Sequence, residues 1–214
     1  MSRSDPRLMV AVRGTAPWLA SQAVVRRVYR RRFESEVSPD PDFFVSVTDA
    51  QAGVLACCGL THWAGRPLLA QSYLQQPVEE LVARHFDRVL IGAELVELGS
   101  LISFQKRATR LLMQAVPWVA SAHGARWALL TADDEVQRQI TLWTGAQCVP
   151  VEVASASAVS GSPWGRYYDQ LPRVCLVDLQ QWRQLDLVLP AGRAPVSDEA
   201  SAASLAGTVG RVTR

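Results

Sequence analysis

The stretch Ala93-Glu94-Leu95-Val96-Glu97-Leu98-Gly99-Ser100-Leu101-Ile102-Ser103, followed by FQKRATRLLMQAVPWVASA over 104–122, decides how the rest of the chain is read. Residues 95–102 are apolar almost throughout, which predicts a central strand covered on both faces. Gly99 inside that run predicts a bulge or a close backbone approach. Residues 105–122 carry Leu111, Leu112, Ala115, Val116 and Val119 on one side, the spacing of a long helix. Pro117 is expected to kink or divide it, and Gly124 to stop it. Two features of this strand–helix unit suggest chemistry. Glu97 is a carboxylate in the middle of a buried strand, and the only lysine, Lys106, lies with Arg107 and Arg110 at the start of the helix.

Outward from this unit the pattern alternates. Downstream, residues 127–131 read as a second buried strand. Asp133 and Asp134 open a helix anchored by Ile140, Leu142 and Trp143 and closed at Gly145. Strands are expected at 148–153 and 173–179, and a short helix at about 180–187. Between them, Trp164-Gly165-Arg166-Tyr167-Tyr168 is an aromatic cluster that fits neither helical nor strand spacing. Upstream, residues 21–36 form an Arg-rich helix with Ser21 as its cap. The runs 43–48, 54–61 and 68–73 form a meander of three strands, and Pro77 begins a helix through about Phe86. The domain is thus expected over 21–188, preceded by a loose arm (1–20) and followed by a disordered tail (189–214) rich in Ala, Ser, Gly and Thr.

Composition narrows the class. With 49% apolar and 20% charged residues, the 214-residue chain can bury a sizeable single core. A net charge of +2 is too small to imply nucleic acid. Cys57, Cys58, Cys148 and Cys175 show neither metal-ligand spacing nor a disulfide framework, so no metal is expected. They suit a reducing compartment, and with no signal peptide evident the expected location is cytoplasmic. No run reaches the roughly 20 apolar residues of a membrane span. His62, His85 and His123 lack ligand spacing, and no Ser or Cys stands in a nucleophile elbow.

The order strand, long helix, strand, helix resembles the core of GNAT acyltransferases. The resemblance implies an α/β fold, a GNAT-like three-layer α/β/α domain whose central mixed sheet has about six or seven strands. It also implies a thioester donor, acyl-CoA or an acyl carrier protein's phosphopantetheine, lying between two splayed central strands. The donor's phosphate would rest at Gln105-Lys106-Arg107-Ala108-Thr109-Arg110. Only Gln105 matches the family's glycine-rich loop, with Ala108 and Arg110 where it has small residues. The layout of Arg26-Arg27-Val28-Tyr29, Phe33 and Val96-Glu97-Leu98-Gly99-Ser100 is distantly similar to acyl-homoserine-lactone autoinducer synthases, although their Arg after the Ser is missing. A closer resemblance, from about Arg26 to Asp178, is to the thermostable haemolysin family. Ser72-Tyr73-Leu74-x-x-Pro77 with Glu79-Glu80, Val96-Glu97-Leu98-Gly99-Ser100-Leu101, Trp127 with Thr131-Ala132, and Trp164-Gly165-x-Tyr167-Tyr168 with Pro172 carry it.

These resemblances imply an acyltransferase that moves an acyl group directly to a small amine or other nucleophile. Glu97 is the candidate base, since burial raises a carboxylate's pKa toward neutrality. The other reading of Glu97 is a structural partner for an Arg or for backbone amides. Tyr167 and Tyr168 are candidates to protonate the leaving thiolate, or core packing. Gly99, Ser100, Leu101, Trp127 and Trp164 are expected to line the substrate site. Gln105, Lys106, Arg107, Arg110, Arg26 and Arg30 are expected to hold the donor or an acidic acyl carrier protein, or to be a solvated face. Two other functions fit the sequence. One is a membrane-active protein using the amphipathic helix at 21–36, and the other is a binding module that has lost the donor site.

Overall fold

The computed structural model describes residues 5–51, 53–63, 66–159 and 164–182. Seven strands form one sheet in the order β1-β2-β3-β4-β5-β7-β6. They are β1 (Arg7–Val12), β2 (Phe43–Asp49), β3 (Gly53–His62), β4 (Leu95–Ser103), β5 (Trp127–Ala132), β6 (Val149–Val153) and β7 (Arg173–Asp178). All neighbours are antiparallel except β4 and β5, which run parallel. Helices α1 (Ala16–Phe33) and α2 (Val78–Phe86) cover one face. Helices α3 (Lys106–Ala122), α4 (Asp134–Thr144) and the short α5 (Leu179–Trp182) cover the other. This is the three-layer α/β/α domain with a mixed sheet that the sequence implied.

Several elements differ from expectation. Within the expected arm, residues 7–20 are not loose. Residues Arg7–Val12 pair with β2, and α1 begins at Ala16 with Pro17 in its first turn. Ser21 is therefore no cap. It is buried inside the helix, with its Oγ 2.8 Å from Ser46 Oγ on β2. Residues 68–73 are not a strand but a 3₁₀ turn, Leu69–Tyr73. Leu68 N, before the turn, donates to Gln71 Oε1, Ala70 N to Glu97 Oε1 and Gln71 N to Leu68 O, so these amides do not join a ladder. The meander is β1-β2-β3 instead. Of the short helix expected at 180–187, only Leu179–Trp182 falls in the described part. The tail from 189 lies outside the described residues.

Pro117 sits inside α3 without dividing it. Proline removes the amide that would reach the carbonyl four residues earlier, that of Met113. That carbonyl accepts from the indole Nε1 of Trp182 at 2.7 Å, so the gap in the helix ladder is filled from α5. The apolar face of α1, with Trp18, Val25 and Phe33, is buried against the sheet and its surroundings. It is not free to lie on a bilayer, which removes the sequence support for a membrane-active helix. No helix among the described residues is long and apolar enough to cross a membrane.

Candidate acyl-transfer site

The site begins with an irregularity in β4. Gly59 of β3 faces Gly99 and Cys57 faces Ile102, so a two-residue step on β3 matches a three-residue step on β4. The extra residue makes a bulge, and Ser100 adopts φ 53, a left-handed conformation uncommon outside glycine. The bulge inverts the alternation of the strand. Leu98 and Leu101 both pack toward α3, whereas Ile102 joins the core under α1. Gly99 itself meets no close approach, since a Cβ there would touch nothing within 4 Å.

The parallel pairing of β4 with β5 runs from Leu95↔Trp127 to Leu98↔Leu130 and stops at the bulge. Beyond it the two strands separate. β5 continues through Thr131 and Ala132 paired only with β7, and β4 through Ile102 and Ser103 paired only with β3. Two cavities occupy this seam and share Tyr29, Gly99, Ser100, Thr131 and Tyr167 in their walls. The smaller, of about 90 Å³, lies toward α3 and α4 and is walled by Leu98, Leu101, Met113, Ile140 and Trp182 among others. The larger, of about 390 Å³, lies toward α1 and the 3₁₀ turn and contains Glu97.

Glu97 is half-buried, with Oε1 accepting from Ala70 N at 3.2 Å. Burial pushes its pKa up to about 7 from an ordinary value of 4.5. The Ala70 and Leu69 amides and the charge of Arg66 oppose the rise without cancelling it. A carboxylate that titrates near neutrality beside an open cavity is poised to accept a proton.

The opposite wall is the loop Val37–Pro41, which the residues before it hold in place. Trp18 Nε1 donates to Pro41 O at 3.0 Å, Gln22 Nε2 to Pro39 O at 2.7 Å, and Arg13 Nη2 to Asp40 O at 2.8 Å. Arg66 is held between Asp40 (3.4 Å) and Asp42 (3.1 Å). Arg13, Asp40, Asp42, Arg66 and the cavity wall at Tyr29, Tyr73 and Thr131 went unrecognised as site residues in the sequence. The clustered prolines and aspartates of 38–42 were their only mark.

The aromatic cluster closes the seam. Tyr167 donates its hydroxyl to Thr131 O at 3.1 Å and stacks on Tyr29, with rings 6.1 Å apart and inclined 21°. Trp164 packs edgewise on Tyr29 and lines the larger cavity. Tyr168 OH lies 2.8 Å from Tyr73 OH. Burial raises the phenols of Tyr29, Tyr73 and Tyr167 above their usual range. The expectation that Tyr167 and Tyr168 act as acids is thereby weakened, because one proton is committed to a carbonyl and the other hydroxyl is tied to Tyr73.

The remaining expected residues separate. Gly99 and Ser100 line both cavities, and Leu101 the smaller. Trp127 lines neither. It is fully buried under α2, 4.8 Å from Phe86. Gln105 precedes α3 without capping it by its side chain, and Lys106, Arg107 and Arg110 are exposed. Arg107 lies 3.8 Å from Asp5, at the same end of the sheet as the C-terminal half of α1. Arg26 and Arg30 are exposed there, but Arg30 is bound bidentately to Glu36 at 2.6 and 2.7 Å, which leaves it little charge to offer. Among the described residues no group of acidic, His or Cys side chains could hold a metal. All four cysteines are free thiols, and burial raises Cys58, beside Gly99, to about 12, too high for a nucleophile.

A family model described as "Thermostable hemolysin" matches residues 12–182. The chain belongs to the thermostable haemolysin family. The match runs from the end of β1 to the last turn of α5, so the seam lies wholly inside the family domain. No curated protein matches the chain. This haemolysin-family chain is similar in structure to TofI, solved with an inhibitor and MTA (18% identity, TM-score 0.53, 81% of this chain and 91% of that one). It is also similar to the AHL synthase LasI (13%, 0.54, 82% and 91%). FeeM, an N-acyl amino acid synthase from uncultured soil microbes, is a third (12%, 0.56, 85% and 95%). At these identities the likeness establishes a shared GNAT-like fold.

Proposed function

We propose that this protein is an acyltransferase that moves an acyl group from a thioester of CoA or of an acyl carrier protein to an amine. The separation of β4 from β5 directly beside Glu97 carries this reading. It puts a gap for a thioester next to a carboxylate that can accept a proton. The similar fold of LasI, an AHL synthase, and FeeM, an N-acyl amino acid synthase, supports it.

In this scheme the acyl chain enters the smaller cavity and the amine the larger, and they meet at Gly99–Ser100. The amine attacks the thioester carbonyl, and Glu97 takes its proton, directly or through water. The C–N bond forms and the C–S bond breaks. The protonated Glu97 then supplies the proton that the departing thiolate needs, a downhill transfer from an acid near 7 to a thiolate whose conjugate acid is near 8.5. Amides at the bulge would polarise the carbonyl. The donor's phosphate would meet Gln105 to Arg110, where the first amides of α3 have no intrahelical partner. The test is release of free thiol from acyl thioesters in the presence of an amine panel. No release from CoA, pantetheine or carrier-protein thioesters would overturn the proposal.

Two further outcomes are expected. Trp182→Ala enlarges the floor of the smaller cavity, and the preferred acyl chain should lengthen by about two to four carbons, one carbon corresponding to roughly 0.8 kcal/mol of burial. Trp182→Phe, which keeps an aromatic ring in the floor, loses the bond to Met113 and removes far less volume than Ala, should shift the preference by no more than about one carbon. Kinetics over a series of acyl-pantetheines reads both. Charge reversal of Lys106, Arg107 and Arg110 together should lower kcat/KM about tenfold or more with an acidic carrier-protein donor and leave acyl-pantetheine unaffected. Equal losses with both donors would exclude a docking role.

A further inference from the structure

We infer that the acceptor is a primary amine with an aromatic or apolar body and no carboxylate. The inference rests on the acyl-transfer reading and narrows it to a substrate class. Among the described residues three charged ones line the larger cavity, Asp40, Arg66 and Glu97. The one cation among them is already ion-paired, with only its Nε left without a hydrogen-bond partner. Arg66 Nη2 lies 2.7 Å from Asp40 O and 3.1 Å from Asp42 Oδ1, and Nη1 lies 3.4 Å from Asp40 Oδ2. Arg13 holds the same two aspartates at 3.1 and 3.2 Å. Two guanidinium groups therefore balance two carboxylates, and ionised Glu97 is the surplus charge.

A cationic amine, which releases one proton to solvent before it attacks as the free base, finds in this cavity a carboxylate and four aromatic rings, those of Tyr29, Tyr73, Trp164 and Tyr167. Ring faces attract ammonium groups and pack against apolar bodies. An amino acid would bring a carboxylate as well. That group would lose its water, find as the cavity's cation only Arg66, already paired with two aspartates and offering a single Nε, and face Asp40. A site with no uncompensated cation for a substrate's carboxylate disfavours it.

Tryptamine and tryptophan differ only by the carboxylate, so they isolate the question. Calorimetric titration of the full chain should show tryptamine binding at least tenfold tighter than tryptophan. Glu97→Gln should weaken tryptamine about tenfold, and Asp40→Asn, by uncovering Arg66, should narrow the gap between the two ligands. Equal or tighter binding of tryptophan, no binding of tryptamine, or indifference of tryptamine to Glu97→Gln would each overturn the inference. Thiol release from acyl-pantetheine separates it from the parent proposal. Acylation of tryptophan in preference to tryptamine defeats the inference and leaves the acyltransferase standing. Glu97-dependent binding of tryptamine without thiol release from any donor defeats the acyltransferase and leaves the amine site standing.

Discussion

Glu97→Gln should lower acyl transfer by about 10²- to 10⁴-fold, the usual contribution of a positioned general base. The carboxylate's pKa of about 7 makes a second expectation. Wild-type kcat/KM should rise with pH and inflect near 7, because only the ionised form accepts a proton. The variant should lack that inflection, any remaining dependence being the amine's own titration. Stability should move the opposite way. The folded state holds the Glu97 proton up to about 7, whereas the unfolded chain releases it near 4.5. Folding is thus favoured by this group below 4.5, and the advantage is lost as pH rises through 7. Glu97→Gln removes the charge and should be more stable than wild type at pH 8, by up to about 3 kcal/mol, and similar to it below pH 4.5. Thermal melts at the two pH values check this. A variant that loses activity and stability together would mark Glu97 as a structural group.

Gly165→Ala should be among the most damaging single substitutions in the chain. Gly165 has φ 54, and an added Cβ would run into the carbonyl oxygen of Phe33 and come within 2.6 Å of Glu34 O. Those atoms are backbone at the end of α1, where Glu34 is itself left-handed and Arg166 N donates to Phe33 O at 2.7 Å. Neither side can retreat without breaking that contact. A cost of about 3 kcal/mol is expected, from strain and lost packing together. For a chain of this size that corresponds to a fall in Tm of about 10 °C. Because the turn carries Trp164 and Tyr167 into the seam, thiol release should fall too, even at temperatures where the variant is folded. A variant with unchanged Tm would show that the turn is not seated on α1 as described.

The fold was legible in the sequence to an unequal degree. Burial on both faces left β4 and β5 as uninterrupted apolar runs, and α3 showed its 3.6-residue period, so the centre was readable from 95 to 132. The first 20 residues were not. β1 is an edge strand six residues long, and Pro17, inside the stretch expected as a loose arm, serves at the start of α1. Leu69–Tyr73 misled for another reason. Its composition suits a strand, but Ala70 N is claimed by Glu97 across the fold while Leu68 and Gln71 close the turn on each other. Pro117 misled because its unfilled carbonyl partner is supplied from 69 residues away.

For the site, the sequence by itself determined that a carboxylate lies in the central strand, that a bulge or a close backbone approach is expected two residues beyond it, and that an irregular aromatic cluster follows β6. Each depends on local chemistry, an ionisable group in an apolar run, a glycine in a strand or rings at no regular spacing. Only the tertiary structure decided what these face. The extra residue at the bulge reversed the alternation after Gly99, so side chains that spacing alone would place together lie on opposite faces. The same bulge ended the β4–β5 pairing and opened the seam. Asp40, Asp42, Arg66 and Arg13 became one neutral cluster because α1 and the strand before it hold the 37–41 loop against the sheet. Contacts of that range leave no periodicity in the chain, and they turned one buried carboxylate into a site with an excess negative charge.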